Sequence, residues 1–215
     1  MAFLQSVLQI YRDRGSWFFD LFLQHVALAG TAILIAGALG LLLGILIAEH
    51  PKFAPAVMGV SNVLYTLPAI SLLGLLIPFL GMGNANAVTA LTIYALMPMI
   101  RNTYTGLTTI DPSIVEAATG MGSTRFQTLL RVKLPLALSV ILAGLRSMVV
   151  MCISVAGIAS FVGAGGLGVA IYRGINSYNP AITFAGSLLI ALLAFVCDLA
   201  LGHVEKHYRK KWRLA

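Results

Sequence analysis

Residues 22–47 read FLQHVALAGTAILIAGALGLLLGILI and contain no aspartate, glutamate, lysine or arginine. A helix of this length spans about 39 Å at 1.5 Å per residue, which is enough to cross a hydrocarbon layer about 30 Å thick. The rest of the chain has the same character, since 59% of its 215 residues are hydrophobic and 10% are charged. Soluble domains carry about 25% charged residues. The sequence therefore predicts an all-α polytopic membrane protein.

Four further apolar segments follow, at residues 55–80, 85–107, 136–160 and 181–203. Together with the first segment they predict about five transmembrane helices. The second segment contains Pro68 and Pro78. Proline lacks a backbone donor and clashes with the preceding helical turn, so we expect a kink or break near Leu67 and Pro68.

The apolar segments divide the chain into three parts. Residues 1–20 place apolar side chains at helical spacing and are expected to form an interfacial N-terminal helix. Residues 21–205 form the predicted transmembrane domain, with a polar loop at 108–135 between its third and fourth spans. Residues 206–215 form a basic tail.

Lysine and arginine are unequally divided between the two sides of the predicted bundle. With the amino terminus outside, the inner segments hold ten of them and the outer segments three. The inner residues are Lys52, Arg101, Arg125, Arg131, Lys133, Lys206, Arg209, Lys210, Lys211 and Arg213, and the outer residues are Arg12, Arg14 and Arg173. Because basic residues mark the cytoplasmic side, we expect the carboxyl terminus and the polar loop in the cytoplasm. The net charge of +7 does not indicate a nucleic-acid partner, because the basic residues stand at segment ends.

The polar loop carries strong helix-boundary signals. Asp111 stands directly before a proline, an arrangement typical of a helix N-terminus. Gly122 is suited to the turn that ends this helix. Ser123 or Thr124 is expected to cap a second short helix, and Pro135 is expected to close that helix before the fourth span.

The same loop resembles the signature loop of permease subunits of ATP-binding-cassette importers. In that pattern Glu-Ala-Ala is followed after three residues by Gly, and after nine more by an aliphatic residue, one residue and Leu-Pro. The matching residues here are Glu116, Ala117, Ala118, Gly122, Leu134 and Pro135. Val132 stands where the family often has isoleucine. The chain is thus similar to the MetI-like type I importer permeases, and the resemblance implies that these residues couple it to an ATPase.

Other segments resemble the branch of this family that carries osmoprotectants such as glycine betaine, carnitine and choline. They are residues 65–69, 80–83, 94–98, 101–104 and 157–168, and the resemblance covers roughly residues 25–205. It implies import of a compatible solute across a bacterial cytoplasmic membrane. Three alternatives stay open: a permease for another small substrate such as an amino acid, a secondary carrier without an ATPase, and a purely structural subunit.

The resemblance also implies partners. Five spans are few for a hydrophilic pathway, so a second permease copy or a paralogue is expected. Two ATPase subunits would carry the ATP and magnesium, and an extracytoplasmic protein would bind the substrate. The chain has no Gly-Lys pair and hence no P-loop, so we expect no ATP hydrolysis, no cofactor and no metal on this subunit.

The substrate path is expected near the interface with the second permease, close to the kink at Pro68. Tyr65, Tyr94 and Tyr104 are candidates to offer aromatic faces to a quaternary ammonium ion. The competing interpretation is that these tyrosines only fill space between helices.

The glycine-rich stretch with Gly163, Gly165 and Gly166 matches the letters of a dinucleotide-binding fingerprint. That motif requires a preceding β-strand, whereas this stretch follows a membrane span. We interpret it as a turn near the external gate.

Two ionisable residues stand inside predicted spans, Arg146 in the fourth and Asp198 in the fifth. Charges in a bilayer are costly and usually paired. Two interpretations stay open: Arg146 and Asp198 form a structural ion pair, or each side chain extends separately to the inner membrane surface. His25, near the start of the first span, is expected to be an interfacial polar residue. Small residues recur along that span, either for close helix contact or as ordinary membrane-helix composition.

Overall fold

The computed structural model describes residues 2–211, which form ten α-helices and no β-strand. The helices are α1 Ala2–Asp13, α2 Gly15–Glu49, α3 Ala54–Thr66, α4 Ala69–Leu80, α5 Asn84–Thr108, α6 Pro112–Gly120, α7 Arg125–Thr128, α8 Leu134–Ala156, α9 Gly168–Asn176 and α10 Pro180–Lys211. Short 3-10 helices occur at Pro51–Phe53 and Ala159–Val162, and a π-helical turn at Leu129–Lys133. The last four residues of the predicted basic tail, 212–215, lie outside the described range.

Within the described range, three continuous helices are long and apolar enough to cross a membrane: α2, the helix that runs from Arg125 to Ala156 through α8, and α10. The second predicted span is broken into α3 and α4, which meet at an angle of 102°. The break lies at the predicted place, because Leu67 and Pro68 both have extended backbone between the two helices. The expected kink near these residues is confirmed.

The third predicted span is a helix, α5, although it is less apolar than the others. It packs against α2, α8, α3 and α4. Its buried side chains include Asn86, Thr92 and Thr103. A helix surrounded by protein meets little lipid, so polar residues that would be costly against hydrocarbon are tolerated there.

Contacts between distant residues define two opposite ends of the bundle. At the loop end, Glu49 at the end of α2 forms a salt bridge with Lys133. At the glycine end, Gly83 just before α5 donates a backbone hydrogen bond to the carbonyl of Val162 beyond α8. The chain leaves α2 at the loop end and enters α5 at the glycine end, so α3 and α4 together traverse the bundle.

The start of the fourth span differs from the prediction for Pro135. This residue does not close the second loop helix, because α7 passes through the π-helical turn directly into α8. Within the π-helical turn the N–H of Leu134 bonds to the carbonyl of Leu129, five residues earlier. Pro135 then occupies the first turn of α8, where the missing N–H of proline is tolerated.

Glycines on α2 lie at its crossing with α5. A β-carbon built on Gly40 would stand 2.7 Å from the β-carbon of Met99, and one built on Gly44 would stand 2.5 Å from the β-carbon of Thr103. By contrast, a β-carbon on Gly30 would meet no atom within 4 Å. Gly40 and Gly44 therefore allow close helix contact, whereas Gly30 has no such role.

The N-terminal helix α1 lies against α10. The Tyr11 hydroxyl donates to the carbonyl of Ala185 at 2.7 Å, and the rings of Phe3 and Phe184 meet edge to face at 5.5 Å. The long helix α2 already begins at Gly15, so it extends into the segment predicted as interfacial.

Candidate functional site

The loop segment, residues 112–133, begins with a well-capped helix. The Asp111 carboxylate accepts a hydrogen bond from the backbone N–H of Ser113 at 2.9 Å, and Pro112 occupies the first turn of α6. This bond holds the pKa of Asp111 below its usual value, because it stabilises the charged carboxylate. The predicted cap is confirmed.

The turn between α6 and α7 depends on Gly122. Its φ of +88° lies in the region that favours glycine over residues with a side chain. The N–H groups of Gly122 and Ser123 bond to the carbonyls of Thr119 and Ala118, which closes the end of α6. Thr124, rather than Ser123, then caps α7 in a reciprocal capping box with Gln127.

The two alanines of the signature face different surroundings. Ala118 is buried, 4% exposed, on a helix that packs against α7 and the π-helical turn, whereas Glu116 and Ala117 are exposed. The small side chain of Ala118 is thus needed within this chain. Only Ala117 is free to let another surface approach the helix closely.

The exposed surface of the loop segment carries large apolar side chains, which are Ile114, Met121, Phe126 and Leu130. Met121 is 82% exposed and Phe126 is 68% exposed. Large apolar side chains grouped at the polar end of a membrane protein are typical of a protein interaction site.

The loop segment is joined to the bundle in two ways. It is continuous with α8 through Leu134 and Pro135, which are both half-buried. In addition, the Lys133 ammonium lies 2.7 Å from a carboxylate oxygen of Glu49 at the end of α2, and both side chains are largely covered. A displacement of the loop segment would therefore act on α8 and α2 together.

The structure brings together two of the three predicted path tyrosines. The rings of Tyr65 and Tyr94 meet edge to face at 6.1 Å, beside the exposed Pro68 at the α3–α4 break. Tyr65 is 46% exposed and Tyr94 is buried. Tyr104 lies about 15 Å further along α5 at 1.5 Å per residue, and packs with Ile47 and its neighbours.

The glycine turn is held by two side-chain amides that the sequence interpretation did not identify. The N–H of Gly165 donates to the side-chain oxygen of Asn84, and the N–H of Gly166 donates to that of Gln24, both at 3.2 Å. Gly163 and Gly166 have φ values of +74° and +97°. The turn thus joins the N-terminal third of α2 to the start of α5, a relation that no local pattern signals.

His25 is fully buried, in contrast to the interfacial position expected for it. Its Nε2 lies 3.0 Å from the carbonyl of Ile153 on α8, and its ring packs under Gly166. The expectation failed because α2 begins well before this residue and α8 and the glycine turn cover it.

Arg146 and Asp198 pair directly. The guanidinium donates to both carboxylate oxygens of Asp198, at 2.6 and 2.7 Å, and a third contact of 3.5 Å reaches Glu205. Gly202 leaves room for the guanidinium on the face of α10. The cluster connects α8 to α10 along one side of the bundle.

Within residues 2–211, no group of three or more His, Cys, Asp or Glu side chains is arranged to hold a metal ion.

Comparison with known proteins gives consistent relatives. The profile of a family described as binding-protein-dependent transport system inner membrane component matches residues 40–210. The glycine betaine/carnitine/choline transport system permease protein OpuCD of Bacillus subtilis (strain 168) is 42% identical over 207 residues, covering 96% of this chain and 90% of that protein. The choline transport system permease protein OpuBD of the same organism is 41% identical, covering 96% and 92%. Among solved structures, the inward-facing MetNI methionine ABC transporter shares the fold, with a TM-score of 0.82 at 23% identity over 89% of this chain and 95% of that chain.

Proposed function

Because the chain belongs to the family of binding-protein-dependent transport system inner membrane components, we propose that it forms the translocation path for a quaternary ammonium osmoprotectant. Membership makes the chain a permease subunit of an ATP-driven importer in a bacterial membrane, served by a separate ATPase and by a substrate-binding protein. Glycine betaine, carnitine and choline are the substrates proposed, since relatives named for them align over nearly the whole chain.

The substrate class has local support at the break between α3 and α4. Tyr65 offers a partly exposed ring there, and the edge-to-face contact with Tyr94 holds its orientation. Aromatic faces attract quaternary ammonium ions, which cannot donate hydrogen bonds. Tyr65 is the residue we propose for transient contact with the cation, and Tyr94 is proposed as its support.

Coupling to the ATPase is proposed at the loop segment. The observation that carries this part is the exposed surface of α6 and the following turn, where Glu116 and Ala117 lie beside exposed Ile114 and Met121. Apolar side chains would enter a groove on the ATPase, Ala117 would allow close approach, and Glu116 would meet a basic or backbone donor.

Transmission from the loop segment into the membrane follows from the connections described above. A rigid displacement of the loop segment would move α8 through the helix that is continuous from Arg125, and α2 through the Lys133–Glu49 salt bridge. Two ATPases closing together would thus rearrange two copies of the permease, or this chain and a paralogue. The glycine turn, at the opposite end, is the proposed external gate.

The test is uptake of radiolabelled glycine betaine, carnitine and choline into proteoliposomes that contain the permease, its ATPase and its binding protein. Glu116→Lys and Gly122→Asp should abolish ATP-dependent uptake and reduce copurification of the ATPase. Lys52→Gln, at an exposed position of the same end, is the matched control and should support normal uptake.

Three results would each contradict one part of the proposal. Full uptake by a correctly inserted Glu116→Lys variant would remove the coupling role, and uptake without the ATPase would indicate a secondary carrier. Import of an amino acid with none of the three quaternary ammonium compounds would refute the substrate class while leaving the coupling intact.

A further inference from the structure

A polar cavity of about 480 Å³ lies where α2, α9 and α10 meet, at the end of α2 that is remote from the loop segment. We call it the junction cavity. Its lining residues are Arg14, Trp17, Arg173, Asn176, Ser177, Asn179 and Ile182. None of them belongs to the coupling surface, the tyrosine pair or the glycine turn, so the proposed transport function does not account for this cavity.

The junction cavity is positively charged. Arg14 and Arg173 both line it, and neither forms a salt bridge within the described residues. The Arg173 guanidinium stacks over the Trp17 ring at 5.3 Å, which holds it in place without neutralising it. Asp13 is absent from the lining of the junction cavity and lines an adjoining cavity that shares Arg14. Two guanidinium groups that face one cavity are suited to bind a phosphate.

An apolar groove of about 600 Å³ adjoins the junction cavity at Asn179. It is lined by Phe3 of α1, by the end of α9 and the turn that follows it, and by one face of α10. The α10 residues of the groove, Pro180, Thr183, Phe184 and Ser187, recur at helical spacing. They extend over about 10 Å of helix at 1.5 Å per residue, a distance comparable to half of an acyl chain.

The depth of these two regions matches the layers of a membrane. Arg14 and Trp17 stand shortly before the uncharged stretch of α2 that begins at Phe22, and the groove begins at Pro180, where the span formed by α10 starts. Tyr178 on the groove rim is 93% exposed. Tryptophan and tyrosine at span ends mark the headgroup level. The guanidinium groups are therefore at headgroup depth, and the groove runs from there into the hydrocarbon.

We propose that the junction cavity and the groove together bind one anionic phospholipid. The phosphate lies between Arg14 and Arg173, with Asn176 and Ser177 as further polar neighbours, and one acyl chain lies along α10. This acyl chain is covered by Phe3, whose ring contacts that of Phe184. Bound lipid would add to the contacts of Tyr11 and Phe3 that already hold α1 against α10.

The test measures lipid binding to the purified importer complex by native mass spectrometry. The complex is delipidated and titrated with phosphatidylglycerol, with phosphatidylcholine of the same acyl chains, and with glycerol 3-phosphate as the headgroup without a chain. The double variant Arg14→Gln/Arg173→Gln removes the charge. Arg12→Gln is the matched control, because Arg12 is exposed on the same segment but does not line the cavity. Ser187→Trp fills the groove and leaves both arginines in place.

Each basic residue near an anionic lipid strengthens binding about fivefold, so loss of both should weaken phosphatidylglycerol binding about 25-fold. Arg12→Gln should leave the affinity unchanged, and Ser187→Trp should weaken binding of the lipid but not of glycerol 3-phosphate. Equal affinity for phosphatidylcholine would overturn the proposal. It would also be overturned if glycerol 3-phosphate bound as tightly as the lipid, or if the double variant kept its lipid and lost the binding protein, which would assign the arginines to a protein interface.

Discussion

The crossing of α2 and α5 gives the sharpest prediction for stability. In the Gly44→Ala variant, the new β-carbon would lie 2.5 Å from the β-carbon of Thr103 and 2.8 Å from its methyl carbon. Two carbon atoms pack best at about 3.5–4.0 Å. The β-carbon of Thr103 is fixed by its backbone and the residue is fully buried, so no rotamer change relieves the clash. The two helices must separate by about 1 Å.

The cost follows from two opposing terms. Overpacking of a tight core typically costs about 1–3 kcal/mol. Alanine also recovers about 0.5–1 kcal/mol relative to glycine within a helix. The variant should therefore be less stable by about 1–2 kcal/mol, which lowers the Tm of a protein of this size by about 2–8 °C. The measurement is thermal unfolding of the purified permease in one detergent, followed by tryptophan fluorescence.

The same helix contains the control. Gly30→Ala makes the same substitution on α2, but its β-carbon would meet no atom within 4 Å. We expect an unchanged or slightly higher Tm for it. If Gly30→Ala and Gly44→Ala lower the Tm equally, the close crossing is not the cause and the argument from helix contact fails.

Three further predictions concern charged residues. Single charge reversals, Glu49→Lys or Lys133→Glu, should lower solute uptake per ATP hydrolysed, and the double reversal should restore it; failure of the double variant to recover would remove the salt bridge from the coupling route. Asp111→Ala should fray α6 and speed amide exchange there. Because the pKa of Asp111 is lowered in the folded state, the stabilisation by this cap is present above the ordinary aspartate pKa and lost as the pH falls through the lowered value. The protection factors of the α6 amides, which are exchange rates corrected for the intrinsic effect of pH, should therefore fall on acidification in the native chain and not in the variant. Asp198→Asn should reduce the Tm more than Glu205→Gln, since Asp198 makes two short contacts with the guanidinium and Glu205 one longer contact; equal effects would contradict this ranking.

Local chemistry made several parts of the structure predictable from the sequence. The break at Leu67 and Pro68 follows from the missing N–H of proline, and the cap at Asp111 follows from an oxygen acceptor beside free N–H groups. The turn at Gly122 needs a positive φ, which glycine adopts readily. Each of these three features depends on a few neighbouring residues, so the sequence of one protein is sufficient to predict it.

Pro135 shows the limit of such rules. Proline after a short helix usually indicates an end, yet here the π-helical turn continues the helix into α8. A proline at this position is compatible both with the end of one helix and with the first turn of the next helix. The choice between them depended on how α7 and α8 pack, and the sequence pattern does not contain that information.

The sequence by itself determined that the chain is an all-α membrane protein of several spans, because composition and the lengths of apolar segments settle how a chain meets lipid. The sequence also contained the Glu-Ala-Ala pattern of the loop segment, which depends only on the spacing of residues along the chain. Tertiary structure alone decided that Ala118 faces inward and Ala117 outward, that Gly44 meets another helix and Gly30 does not, and that Arg14 and Arg173 share a cavity. These relations join residues far apart in the chain, and only the packing of the helices brings such residues together.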